Sequence, residues 1–165
     1  MRKLLIILFI VTSYSLLAQN KEHWLGMGVF DMVSPKLQYE RVNKLNNVSL
    51  GLLFTNGVYG EVVDLPWYHY GPYVDMGLSW EQGDVLMTNK VGYEVLALFA
   101  LARLSVVNYT NFQNNQVCLR PEIGLTLVSM MSITYGYNFD LGGHNSFGAK
   151  GHILSVNISY SISQW

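Results

Sequence analysis

The last fifteen residues, GHILSVNISYSISQW, alternate strictly: Leu154, Val156, Ile158, Tyr160 and Ile162 are apolar or aromatic, and Ser155, Asn157, Ser159, Ser161 and Ser163 are small and polar. Period two over nine residues predicts a β-strand with two unlike faces. The same pattern recurs upstream, and eight strand-like segments can be read. The first, Trp24 to Asp31, is glycine-rich and its parity is unclear. Lys36 to Val42, Val48 to Phe54 and Tyr73 to Glu81 alternate more clearly; in the last of these Val74, Met76, Leu78 and Trp80 oppose Asp75, Gly77, Ser79 and Glu81. Val91 to Tyr109 is apolar nearly throughout. Its stretch YEVLALFALARLSVV contains good helix formers, but it has no N-cap residue and ends in SVVNYT, so a strand is expected, with a buried helix as the competing reading. Residues 117–140 are too long for one strand and predict a hairpin turning near Val128 to Met130. Leu154 to Ile162 closes the set.

Eight strands suggest two architectures. In a soluble sandwich or lipocalin-like barrel the apolar face, Leu154, Val156 and Ile158 included, is the core and could enclose an apolar ligand. In a transmembrane barrel it faces lipid, and the opposite face fills a narrow lumen. That opposite face carries Asp75, Arg120, Glu122 and Asn138, with Arg103 placed to join Arg120 and Glu122 from the preceding strand. With both termini at one end, the connections after strands three, five and seven are long, medium and long, and those after two and six are short. The short VSP after strand one and the long EQGDVLMTNK after strand four fit this rhythm poorly.

Composition narrows the choice. The chain of 165 residues is 50% hydrophobic and 13% charged, with eleven Tyr and four Trp, and Trp24, Tyr59, Trp67, Tyr68, Tyr70, Trp80, Tyr109 and Trp165 sit near expected strand ends. Interfacial girdles use such residues. The opening MRKLLIILFIVTSYSLLAQN has a basic start, an apolar run from Leu4 to Val11 and a weaker tail, the anatomy of a secretory signal peptide over residues 1–19. Residues 20–165 then form a single barrel domain. Without Arg2 and Lys3, eight Lys/Arg face eleven Asp/Glu, a poor balance for nucleic-acid binding. The single Cys118 cannot form an internal disulfide or a cysteine-based metal site.

The signal ending LLAQ, the segment RPEIGLTLVSMMSITYGYNFDL and the closing ILSVNISYSISQW resemble the small outer-membrane β-barrel proteins of Bacteroidetes-type bacteria. The resemblance implies export to the outer membrane of a Gram-negative bacterium, assembly by the outer-membrane insertion machinery, and an all-β, eight-stranded antiparallel up-and-down transmembrane β-barrel. Trp165 departs from the usual assembly signal, because it has the parity of the serines.

Chemistry is sparse. His69, His144 and His152, with Ser146 and Asp140, lie in or beside expected external loops and could suit a lipid A-modifying enzyme, but no nucleophile-elbow spacing supports them. The glycines of GGHNSFGAKG precede no helix, and the sequons NVS, NYT and NIS are discounted for a bacterial protein. The expectation is therefore a non-enzymatic barrel without cofactor, metal or catalytic residue. It would contact outer-membrane lipid through Leu154, Val156, Ile158, Tyr160 and Ile162, and act in a structural or surface-interaction role through loops 56–70 and 140–151.

Overall fold

The computed structural model describes residues 30, 32–59, 66–81, 84–127, 131–142, 147–160 and 162–163. The expected signal peptide, the expected first strand at Trp24 to Asp31 and Trp165 lie outside the described residues. Eight long strands follow one another: β1 (Met32–Val42), β2 (Leu45–Tyr59), β3 (Pro66–Glu81), β4 (Asp84–Ala97), β5 (Ala100–Thr110), β6 (Asn115–Leu127), β7 (Met131–Asp140) and β8 (Gly151–Ser159), with a two-residue β9 (Ile162–Ser163). Each strand pairs antiparallel with the next, and β8 pairs back onto β1, so the sheet closes as an up-and-down barrel. No helix occurs among the described residues.

The register fixes the geometry of closure. Lateral steps from Met32 pass through Thr55, Gly71, Glu94, Arg103, Glu122, Gly136 and Ile153 and return to β1 at Val42, ten residues further along. A stagger of about ten residues over about eight strands tilts the strands by roughly 40°.

Strand β1 shows how sequence becomes wall. Ser34, Lys36, Gln38 and Glu40 are buried, whereas Leu37 and Tyr39 are 46% and 44% exposed. Polar residues point in and apolar residues point out. The same inversion holds on β2, β3, β6 and β7, where Leu50, Met76, Ile123 and Tyr135 are exposed and Ser49, Asp75, Glu122 and Thr134 are buried. Leu154 and Ile158 of β8 also lie outward, with Ser155 and Asn157 within.

Two expectations are corrected. Residues 91–109 are neither one strand nor a helix; they form the hairpin β4–β5, turning at Leu98 and Phe99. Leu98 adopts φ 58°, a left-handed conformation that Leu seldom takes, and no Gly, Asn or Pro marks the turn. The lumen is locally apolar here as well, since Leu96 and Leu101 are buried beside outward Val95, Ala97, Ala100 and Ala102, so alternation disappears. The loop rhythm is also reassigned. VSP lies within β1, and DVLMTNK lies within β4. Residues 60–65 connect β2 to β3 at the end that holds the start of β1, whereas residues 141–150 connect β7 to β8 at the opposite end. Loops 56–70 and 140–151 therefore do not share a surface.

The end opposite the start of β1 is closed by an apolar plug. Val42, Leu45, Leu86, Val107, Tyr109, Cys118 and Ile153 gather inside the barrel, with Ala149 buried among them and Phe147 packed against them. Asn138 Nδ2 donates to Ala149 O at 2.7 Å, and Phe147 N donates to Gln116 Oε1 at 3.0 Å, which seats the β7–β8 connection in the mouth.

Inward glycines make room for large lumen side chains. A Cβ on Gly92 would lie 2.7 Å from both Leu104 O and the Tyr73 ring, and one on Gly51 would lie 1.9 Å from the Asp75 carboxylate. Gly92→Ala should therefore displace the Tyr73 ring or part β4 from β5, and lower stability by about 1–3 kcal/mol in a urea-unfolding measurement. An unchanged midpoint would show that the lumen has slack at this level.

Candidate functional site in the barrel lumen

The lumen holds eight buried Lys, Arg, Asp and Glu side chains among the described residues: Lys36, Lys90, Arg103 and Arg120, and Glu40, Asp75, Glu94 and Glu122. Four cations meet four anions. Each comes from the inward parity of its strand, and closure of the barrel carries them towards one axis.

The upper tier centres on Glu40. Its carboxylate receives Arg120 Nη1 at 2.7 Å, Gln38 Nε2 at 2.6 Å, Asn47 Nδ2 at 2.9 Å and the Lys90 ammonium. Arg120 also donates from Nε to Asn138 Oδ1 at 2.7 Å and from Nη2 to Tyr109 Oη at 2.5 Å. Asn138 Nδ2 donates to the same Tyr109 oxygen at 3.0 Å. Each of the three guanidinium nitrogens thus donates to a group from another strand, which offsets much of the cost of burying the charge.

The lower tier surrounds Tyr73. Lys36 Nζ lies 2.9 Å from Asp75 Oδ2 and 3.8 Å from the centroid of the Tyr73 ring. Lys90 is also 3.5 Å from Asp75, which links the tiers. Arg103 pairs with Glu94, and its guanidinium carbon is 5.9 Å from the Tyr73 centroid. Glu94 also contacts His69 Nε2 at 3.0 Å, close to the barrel end where β1 begins. Glu122 accepts from the Thr134 and Ser155 hydroxyls at 2.9 and 3.1 Å, and its Oε2 has no protein partner. Arg103 Nη1 and both amide atoms of Asn157 are likewise buried without one. Such atoms mark places for ordered water in this half of the lumen.

Asp75, Arg103, Arg120, Glu122 and Asn138 are all buried on the lumen wall, and Arg103 stands opposite Glu122 in register, but the ion pairs these residues form run to other partners. Arg120 pairs with Glu40, Arg103 with Glu94 and Asp75 with Lys36. Sequence reasoning missed Lys36, Glu40, Lys90 and Glu94 as partners. Lys90 and Glu94 share inward parity with Thr88, a signal hidden while residues 91–109 were read as one segment. Of the expected outward residues, Leu154, Ile158 and Tyr160 are exposed, Val156 is half-buried, and the Ile162 side chain lies outside the described residues. Tyr109 turns into the lumen plug and does not join an outer aromatic girdle.

The histidines do not converge. His69 is near the start of β3 at one end and His152 near the start of β8 at the other. His144 and Ser146 lie outside the described residues. No cluster of three or more His, Cys, Asp or Glu suited to a metal ion occurs among the described residues. In comparisons with known proteins, no family model matches this chain, and no curated protein matches it either.

Removing the Glu40 carboxylate would leave Lys90 and Arg120 buried with too little countercharge. Glu40→Leu should cost about 3–5 kcal/mol in unfolding free energy. Adding Arg120→Met should cost less than the two single losses combined, and a double-mutant cycle in urea checks this. Strict additivity would mean that the pair is not energetically coupled.

Proposed function

We propose that the chain is an exported outer-membrane β-barrel that serves a structural or surface-interaction role without catalysing a reaction. The observation that carries this reading is the inversion of the barrel: paired charges lie within, while Leu50, Met76, Ile123 and Leu154 lie 53–70% exposed on the wall. A soluble fold would hold these side chains inside, and lipid is the solvent in which such a wall is stable. The lipocalin-like alternative fits the barrel fold equally, but it expects Leu154, Val156 and Ile158 to face inward.

The dimensions support the proposal. Met131, Ile133, Tyr135 and Phe139 of β7 are exposed, and the span from the first to the last rises roughly 20 Å along a strand tilted by about 40°. Bilayer-spanning barrels carry an apolar band of about 25 Å flanked by aromatic girdles. Tyr68 and Tyr70 are exposed near one end, and Trp80 near the other. The apolar β4–β5 turn, with Leu98 and Phe99 exposed at 55% and 66%, suits an interface better than bulk water. The amino-terminal segment supports export, and insertion would then require the outer-membrane assembly machinery. Of the two loops expected to meet a partner, only one can lie outside the cell; with the termini in the periplasm, it is residues 141–150, and the plug beneath it argues against a through-channel.

The test is fractionation followed by lipid-accessibility mapping. The chain should be recovered in the outer-membrane fraction, resist extraction by aqueous buffer and migrate heat-modifiably on gels. In a Cys118→Ala background, a fluorophore on Leu154→Cys should be quenched by brominated lipid, and one on Ser155→Cys should not. Recovery in detergent-free buffer, or quenching at 155 rather than 154, would overturn the proposal.

A further inference from the structure

Every described Lys, Arg and His outside the lumen that is exposed falls in one sector: Arg41 at the end of β1, Lys44 in the β1–β2 turn, Lys150 before β8, and His152 at its start. Away from this sector the described outer wall at this end carries the neutral Asn46, Trp80, Val85, Asn89 and Asn108. We propose that Arg41, Lys44 and His152, with Lys150 beside them, bind the phosphate group of a lipid in the leaflet that meets the barrel end opposite the start of β1. The proposal rests on the membrane reading above.

The sector is built rather than merely charged. Asn43, at φ 53°, donates from Nδ2 to Gly148 O at 3.2 Å and Lys150 O at 2.5 Å, which fastens the β7–β8 connection to the β1–β2 turn. A Cβ on Gly151 would lie 2.5 Å from the Asn43 amide, so the glycine allows this close approach. Arg41 Nε donates to Asn43 O at 3.4 Å, and neither Arg41 nor Lys44 forms an ion pair among the described residues. His152 is held on its Nδ1 side by Tyr135 Oη at 2.6 Å and meets the Tyr137 ring edge-on at 5.1 Å, while its Nε2 has no bond to a described residue. Two described acids lie at this end of the barrel: Asp140 has lumen-facing parity and its Oδ1 accepts from Gly142 N at 2.9 Å, and Glu81 is half-buried at the end of β3, one residue past the Trp80 that pairs with Asn46.

Position selects the lipid as the source of phosphate. Arg41 pairs in register with Leu154, and Leu37, Tyr39, Leu154 and Ile158 continue down the wall as exposed apolar and aromatic surface. A phosphate at Arg41 therefore has its acyl chains laid along that surface. Cations one step above an apolar band stand at headgroup depth, where anionic lipid is attracted by about fivefold in affinity per basic residue. A free anion would gain the charges but not the wall.

The test uses the full-length chain folded in an uncharged sugar detergent and titrated with phosphatidic acid or with diacylglycerol, which has the same chains without phosphate, read by native mass spectrometry. Wild type should retain phosphatidic acid in preference to diacylglycerol. Arg41→Gln with Lys44→Gln should weaken that retention by roughly twenty-five-fold, and Arg41→Lys should keep most of it. Inorganic phosphate should compete poorly. Heat-modifiable migration checks that each variant is folded. Equal retention of both lipids, a folded double variant that binds like wild type, or displacement by an equal concentration of inorganic phosphate would overturn this proposal and leave the membrane reading standing. Failure of the wild type to fold in detergent or lipid would overturn both.

Discussion

The carboxylate of Glu40 accepts from four side chains on four different strands, counting its own β1 neighbour Gln38, Asn47 of β2, Lys90 of β4 and Arg120 of β6. Gln38 and Asn47 come with the β1–β2 hairpin, where Asn47 is the register partner of Glu40, but β4 and β6 are not neighbours of β1. The contacts with Lys90 and Arg120 exist only when the barrel is closed, and closure is tolerable only when they exist, because a carboxylate, an ammonium and a guanidinium would otherwise be desolvated separately. Much of the remaining lumen follows from this. Lys90 reaches Asp75, Asp75 holds Lys36, Lys36 covers the Tyr73 ring, and that ring occupies the space left by Gly92.

Charge balance makes such an interior possible in a narrow barrel. Four cations and four anions balance; the four cations pair with Glu40, Asp75 and Glu94, while Glu122 is held by the Thr134 and Ser155 hydroxyls. The two ends then differ in kind. Towards the β7–β8 connection the lumen becomes apolar and is stoppered by Phe147 and Ala149, and towards the start of β1 it stays polar around Glu94, Arg103 and His69. The orphaned atoms of Arg103, Glu122 and Asn157 fall within the polar portion, where water is the natural partner.

The outer wall obeys the opposite rule. Large apolar side chains that would be a liability in water stand on every long strand, and the exposed cations among the described residues gather in one sector at one end. The ladder lapses between β6 and β7 at Arg120 and Pro121, where proline has no N–H to give, yet the strand persists because its other neighbour still pairs through both residues. A closed sheet absorbs an interruption that would end an edge strand.

Alternation along β1, β3, β6, β7 and β8 was enough to assign those strands and to separate Asp75, Arg120, Glu122 and Asn138 from Leu154 and Ile158. Each of these depends on neighbours one or two residues apart, which the chain itself specifies. The expected eight counted Trp24 to Asp31 as a strand and residues 91–109 as one, where the barrel has two. The β4–β5 hairpin was illegible because its turn, Leu98–Phe99, and the lumen positions beside it, Leu96 and Leu101, are all apolar, so neither a turn residue nor a period marks the reversal. The end of the barrel at which each loop lies was consequently misread. Partnership inside the lumen was beyond the sequence for another reason. Arg120 and Glu122 are adjacent on one face, but Arg120 meets Glu40, eighty positions away, because tilt and stagger set which inward residues share a height. The sequence by itself determined which side chains share a face of each strand; the tertiary structure alone decided which face is the inside and which residues meet there, since that depends on closure and on a register accumulated around the whole barrel.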